Sequence, residues 1–225
     1  MSLFSYCLRY DDGAAPNPYW GTCTLVICKP AIRRTAEIGD WIIGLGSVNS
    51  PIGDISKFVV YAMWVTNKFT MAEYDSFCQH KLSKKIPNWR SRDYRRRMGD
   101  CIYDFSSKPE PKLRWSVHSE ANRIRDLGGE NALLSNYFFY FGDHPIKLPD
   151  SLRPIMHTTQ GHKSDANQPY LSAFTDWIVG IGYRPNRLYG EPQLKQKYYR
   201  ETDFQAKCSL RSLEEDLSIE RSPIL

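Results

Sequence analysis

No stretch of this 225-residue chain approaches the ~18 uninterrupted apolar residues that a membrane-spanning helix needs. The start, MSLFSYCLRYDDG, has no basic segment leading into an apolar one, so no secretory leader is expected and the chain is placed in the cytoplasm. None of the six cysteines (Cys7, Cys23, Cys28, Cys78, Cys101, Cys208) forms a CxxC pair, and no Cys/His group has zinc-ligand spacing. Reduced and largely buried thiols are therefore expected, with no metal and no cofactor. Walker, GxGxxG, HExxH and GxSxG motifs are all missing, which removes the commonest nucleotide-cofactor and hydrolase classes.

What is present is charge in one place. The chain carries a net +5, yet the stretch from Lys81 to Arg97 alone is worth +7. Lys81, Lys84, Lys85, Arg90, Arg92, Arg95, Arg96 and Arg97 there face a single acid, Asp93. Trp89 and Tyr94 are interleaved among them, and aromatic planes beside guanidinium forks suit phosphate contact combined with base stacking. The competing reading of such a run is a solvated face.

Strands outnumber helices. LFSYCLRY (3–10), GTCTLVIC (21–28), GDWIIGLGS (39–47), KFVVYAMWVT (57–66), GDCIYDF (99–105) and NALLSNYFFYF (131–141) are each predicted as one strand, and Trp115–His118 as a short extended piece. Thr70–Glu73 has the form of a capping box opening a helix through about Gln79. Short helical turns are expected at 29–36, 149–153 and 173–179, irregular chain at 180–193, and an amphipathic helix at 209–217. Strand and helix do not alternate, so an α+β fold around a mostly antiparallel barrel is expected, with short peripheral helices.

The run ICKPAIRRTAEIGDWIIGLGS, then KFVVYAMWVT and TMAEY, resembles the core of a PUA-like barrel of the EVE and ASCH kind. GDCIYDF, WSVH, NALLSNYFFYFGDHPIKLP, GHK and WI, in that order, resemble the second nucleotide-modification-associated domain family, over roughly Leu3 to Gln193. The resemblance implies a domain over residues 1–200, a tail over 201–225, and a DNA partner in a phage or anti-phage DNA-modification system. Other proteins of such a system are possible partners. It also implies a base-flipping mode, in which phosphate contacts position the protein and an aromatic pocket selects the nucleotide.

Candidate residues follow from chemistry. For a nucleobase pocket these are Asn17, Tyr19, Trp20, Ser47, Tyr103, Tyr140 and His162. For the DNA backbone they are Arg33, Lys84, Lys85, Arg90, Arg92, Arg95, Arg96 and Arg97. The resemblance to ASCH-like amidohydrolases implies a nucleophilic lysine in this turn, where Lys29 stands in a similar place, and Cys28 is the alternative nucleophile. His118 and Glu120, two residues apart, lie on one side of an extended segment as an acid/base pair would. For each of these a structural role competes: a packed indole, a turn cap, a solvated lysine, a core histidine. Three functions stay open, namely an enzyme that processes a nucleobase substituent, a reader of modified DNA without catalysis, and an interaction subunit of a modification complex. If the basic strip meets DNA, affinity falls steeply with salt, and changing Arg95, Arg96 and Arg97 together to alanine flattens that slope. An unchanged slope would make the strip a solvated surface.

Overall fold

The computed structural model describes residues 1–106, 109–157 and 161–195. The strands are β1 (Leu3–Cys7), β2 (Cys23–Leu25), β3 (Trp41–Leu45), β4 (Phe58–Trp64), β5 (Asn67–Thr70), β6 (Tyr103–Asp104), β7 (Lys112–Leu113), β8 (Asn131–Ser135), β9 (Tyr137–Tyr140), β10 (Ile146–Lys147) and β11 (Arg187–Leu188). The α-helices are α1 (Pro30–Thr35), α2 (Met71–His80), α3 (Tyr94–Arg97), α4 (Arg123–Leu127) and α5 (Leu171–Gly180), joined by short 3₁₀ turns.

The α+β expectation holds, and among the described residues no closed barrel is found: the strands form one mixed sheet and two antiparallel ones. A six-stranded sheet runs β1-β3-β4-β9-β11, with β10 paired to the start of β4. Its two outer pairs, β1 with β3 and β9 with β11, are parallel, and its centre is antiparallel. A separate three-stranded antiparallel sheet runs β2-β8-β5, and β6 and β7 make a small hairpin. The division between the two sheets falls within NALLSNYFFYF, a run that reads as one strand. The run breaks at Asn136, so β8 enters the smaller sheet and β9 the larger one. The Ser135 hydroxyl holds the break, donating to the Tyr137 carbonyl and accepting from the Tyr137 amide.

Alternation along the strands builds the layers. Phe4, Tyr6, Ile42, Phe138 and Tyr140 turn one face of the large sheet toward Cys23, Leu25 and Leu133 of the smaller one. Leu3, Trp41, Ile43, Phe139 and Phe141 turn the opposite face toward Phe174 and Ile178 of α5. The far side of the small sheet, through Val26, Ala132 and Leu134, packs on Tyr74 and Cys78 of α2 and on Tyr94 of α3. The capping box at Thr70 is present, with the Thr70 hydroxyl accepting from the Glu73 amide and the Glu73 carboxylate accepting from the Thr70 amide. GDCIYDF is extended as a ladder only at Tyr103–Asp104, and Trp115–Val117 is a series of bends rather than a strand. Within the stretch expected to be irregular, Arg187 and Leu188 add an edge to β9. The helix expected at 209–217 lies outside the described residues.

One buried carboxyl ties the first loop to the large sheet. Asp11 accepts from the Tyr140 hydroxyl at 2.7 Å and from the Gly13 amide at 3.3 Å. Burial pushes its pKa up to about 7. The folded chain thus holds a proton that the unfolded chain, with an ordinary aspartate near 3.9, releases earlier. The stabilisation is complete below about pH 4 and is lost as pH rises through about 7. Asp11→Asn, which keeps the shape and cannot ionise, should therefore lose less melting temperature than the native chain between pH 5 and pH 8. Parallel thermal melts across that range check this; identical slopes would show that Asp11 does not carry the pH dependence.

Candidate functional site

β2 leads through Val26 and Ile27 to Cys28, where the backbone turns sharply before α1. Cys28 and Lys29 both occupy the left-handed region, with φ of 59° and 41°. Side chains with a Cβ adopt this at a cost on the order of 1–3 kcal/mol, tolerated where the surroundings dictate it. Here the Cys28 amide donates to Asp126 Oδ1 at 3.2 Å, and the Cys28 carbonyl accepts from Arg33 Nε at 2.8 Å. Pro30 at the first position of α1 fits the helix start.

The strained turn sets the Cys28 thiol, half-buried, 3.7 Å from Nε2 of His118. His118 is buried, and its Nδ1 lies 2.6 Å from Asp126 Oδ2, on α4. Burial alone would raise the Asp126 carboxyl. The charge and hydrogen bond of His118, the Arg33 guanidinium and the Cys28 amide together hold it below the ordinary carboxylate range. With Asp126 ionised, Nδ1 keeps its proton toward it whether the ring is charged or neutral, and once the ring is neutral Nε2 is the atom that accepts from the thiol. The Tyr103 hydroxyl also donates to Asp126 Oδ2, at 3.2 Å. A thiol, an imidazole and a carboxylate thus stand in line, the arrangement in which the base takes the nucleophile's proton and the acid fixes the base's tautomer.

Behind the line is Arg33. Expected at a phosphate, it is instead fully buried. Its guanidinium donates to the carbonyls of Cys28, Asp126 and Asn131, at 2.8, 2.6 and 3.0 Å. Glu120, expected as the partner of His118, is exposed and bound by Arg123 at 2.5 Å. The segment bends after Trp115, so a two-residue spacing does not set the two side chains together; Asp126 takes the place of Glu120. The sequence carried no signal that singles Asp126 out. It stands three residues after Arg123 on a short helix, the ordinary spacing of a surface ion pair.

Lys29 lies beside the thiol in sequence, with its ammonium 4.7 Å from the centre of the Tyr6 ring. His162 packs on Phe4, two residues before Tyr6, with ring centres 5.7 Å apart. Burial, then the charges of His157 and Lys29, hold the His162 imidazole below its ordinary value. Lys29 and His162 therefore lie against Tyr6 and Phe4 of β1, with Cys28, the partner of His118, adjoining Lys29 in the chain.

The other expected pocket residues do not join them. Asn17 is buried, its carboxamide donating to the Met98 carbonyl and accepting from the Tyr19 amide. Tyr19 and Tyr140 are core residues, Tyr140 with its hydroxyl on Asp11. Ser47 is buried and caps the turn at Asn49. Tyr103 belongs to the site, but through its hydroxyl to Asp126. Trp20 is half-buried between two cations, Lys84 Nζ at 4.8 Å and the Arg95 guanidinium at 5.2 Å from its ring centre.

The basic strip divides. Lys85 is fully buried, its ammonium donating to Asn17 Oδ1, the Asn17 carbonyl and the Thr24 hydroxyl, each at 2.8 Å. Arg97 is buried as well, against the Tyr94 ring. Arg95 is paired with Asp93 at 3.0 Å, and Arg96 donates to the Ser83 carbonyl. Lys81, Lys84, Arg90 and Arg92 remain exposed. Replacing Arg97 therefore tests packing as well as charge. Among the described residues no group of three or more His, Cys, Asp or Glu side chains is placed to hold a metal ion, and no helix is long and apolar enough to cross a membrane.

The α+β scaffold thus presents a cysteine from a strained turn to a histidine that a carboxylate orients. Residues 1–200 match the model of the family described as nucleotide modification associated domain 2, and the chain belongs to that family. Comparison with curated proteins and with solved structures returned no match in either case.

The geometry predicts selective reactivity. Iodoacetamide at pH 7 should label Cys28 ahead of the buried Cys7, Cys23, Cys78 and Cys101. His118→Ala should slow that labelling about tenfold or more, since an unassisted thiol is only a few per cent thiolate at neutral pH. Gly129→Ala should slow it too, because a Cβ there would meet the Arg33 guanidinium at 2.0 Å. Overpacking of that kind costs about 1–3 kcal/mol. Peptide mapping by mass spectrometry reads all three; equal labelling of native and His118→Ala protein would dissolve the pairing.

Proposed function

We propose that the protein processes the substituent of a modified nucleobase in DNA by thiol chemistry, with Cys28 as nucleophile, His118 as acid/base and Asp126 as the group that orients it. The observation that carries this reading is the unbroken contact from the Cys28 thiol through His118 to Asp126. Family membership supplies the context, a role associated with nucleotide modification.

The reaction class that fits is acyl transfer from a carbonyl-linked substituent. The thiol proton passes to His118 Nε2 as sulfur bonds to the carbonyl carbon. The tetrahedral adduct collapses, and the leaving amine or hydroxyl of the base takes the proton back from His118. Water, deprotonated by His118, then cleaves the thioester and regenerates the thiol. Asp126 stays ionised throughout and stabilises the imidazolium formed in each half. Lys29, the next residue along the chain from Cys28, is the cation assigned to the developing oxyanion. The exposed cations of the Lys81–Arg97 strip hold the DNA backbone, as counterion release favours.

The test is a panel of DNAs with natural modified bases, incubated with the purified chain and scored by mass change and by binding. A productive substrate should leave a transient adduct on Cys28. Cys28→Ala should abolish turnover while retaining binding, and His118→Ala should lower turnover about 10²–10⁴-fold. Binding to a modified DNA with no mass change in either partner would make the protein a reader instead.

A further inference from the structure

A cleft of about 750 Å³ opens between the Pro87–Arg90 turn and the β6–β7 hairpin, apart from the thiol. Each wall contributes a tryptophan, Trp89 from the turn and Trp115 from the segment leaving β7. Trp115 is 64% exposed, a large apolar surface left in water. Of the cations lining the cleft, Arg114 is committed to the structure. It donates to the carbonyls of Cys101 and Tyr103, at 3.1 and 2.7 Å, and pairs with Asp75 at 2.8 Å. Arg90 and Lys112 are exposed, and neither side chain makes a hydrogen bond or ion pair among the described residues.

The walls are braced. The Asn88 amide donates to the Arg96 carbonyl at 2.8 Å, closing the turn that carries Trp89. The backbone at Lys85–Pro87 lies so close to Gly99 that a Cβ there would fall 2.4 Å from the Lys85 carbonyl oxygen. Arg114, through Asp75 and the carbonyls of Cys101 and Tyr103, pins the hairpin to α2.

We propose that this cleft holds one nucleotide of a single-stranded or locally opened polynucleotide, its base stacked on Trp115 and Trp89 and its phosphates met by Arg90 and Lys112. Two indoles offer stacking to any base, and the exposed cations Arg90 and Lys112 suit a phosphate chain better than an apolar peptide, the one acid of the lining, Asp104, being held by Arg114 at 3.6 Å and facing Lys112 across the hairpin. The assignment deepens the reading of a DNA-processing thiol and rests on it for the identity of the polymer. Trp115 is three residues from His118, so their Cα atoms lie no more than ~11 Å apart. Leu113, in the cleft, pairs in the hairpin with Tyr103, whose hydroxyl touches Asp126. A nucleotide held here places its neighbour on the strand toward the thiol, so the cleft is a subsite for a base flanking the one processed.

The test uses the full chain and a single-stranded oligodeoxynucleotide of about ten residues, a length within the ~4–16 nucleotides of a typical single-strand site. Tryptophan quenching and calorimetry read the affinity. Trp115→Ala, and Trp115→Leu as a bulk-retaining control, should each weaken binding by about 5- to 150-fold, the equivalent of one base–aromatic stack. The Arg90→Ala/Lys112→Ala double variant should lower the salt slope by about 1.4. Melting temperature checks that each variant is folded. Native-like affinity and slope in all three would overturn the assignment, as would a deoxynucleoside monophosphate binding as tightly as the oligonucleotide. Cys28→Ala should bind the oligonucleotide like the native chain, so a failure of the thiol chemistry and a failure of the cleft are read separately.

Discussion

The buried guanidinium of Arg33 is the constraint on which the site depends. A cation taken fully out of water is tolerated only when its donors are met and a counter-charge is near. Burial lowers its pKa to about 10, with Asp126 opposing the fall, so it remains charged at neutral pH. Its donors reach three carbonyls from three elements: Cys28 on the strained turn, Asp126 on α4 and Asn131 at the start of β8. Asn131 returns the contact, its side-chain amide donating to the Arg33 carbonyl. Truncating Arg33 would leave those carbonyls and the Asp126 charge without compensation at once. Such a loss is measured in several kcal/mol, far more than the net worth of any single bond. The same group therefore holds the Cys28 turn, Asp126 and the start of the central strand of the small sheet in register.

This explains why a backbone with two consecutive left-handed residues persists at Cys28–Lys29. The Cys28 amide is taken by Asp126 and its carbonyl by Arg33, so relaxing the turn would break bonds at both ends of the residue. Gly129 belongs to the same logic. It follows α4 and is bare because the guanidinium occupies the space where its side chain would project. Position 129 thus reports on Arg33 across a gap of nearly a hundred residues in sequence, a link that no local pattern encodes.

What was legible in the sequence was local. The capping box at Thr70, the long strand through KFVVYAMWVT and the helical turn after Cys28 depend on neighbours a few residues apart, and each is present. Cys28 and His118 were flagged on chemical grounds and lie in contact. Asp126 was not, because pairing His118 with Glu120 assumed an extended chain where the chain bends. Asn136 was read through, since a serine–asparagine step inside an apolar run looks like the polar face of one strand. Its effect, sending β8 and β9 into different sheets, appears only when the partners of each are known.

Charge was legible as a sum and not as a direction. Lys85 and Arg97 share composition and neighbourhood with Lys84 and Arg92, yet two are buried and two exposed. Short helical turns at Ser83–Lys85 and Tyr94–Arg97 rotate successive side chains by about 100–120°. A dense cationic run on such turns must therefore point some charges inward. The inward ones are accommodated because partners wait for them: Asn17 and Thr24 take the Lys85 ammonium, and the buried Asp100 supplies charge beside it. Asp100 in turn accepts from the hydroxyls of Thr24 and Tyr74, so β2, α2 and the strip are locked by one polar knot. The strip is thus a structural strap on its inner side and a cationic surface on its outer one. The tryptophan cleft lies between that outer side and the hairpin, where the strap's rigidity becomes the rigidity of a binding wall.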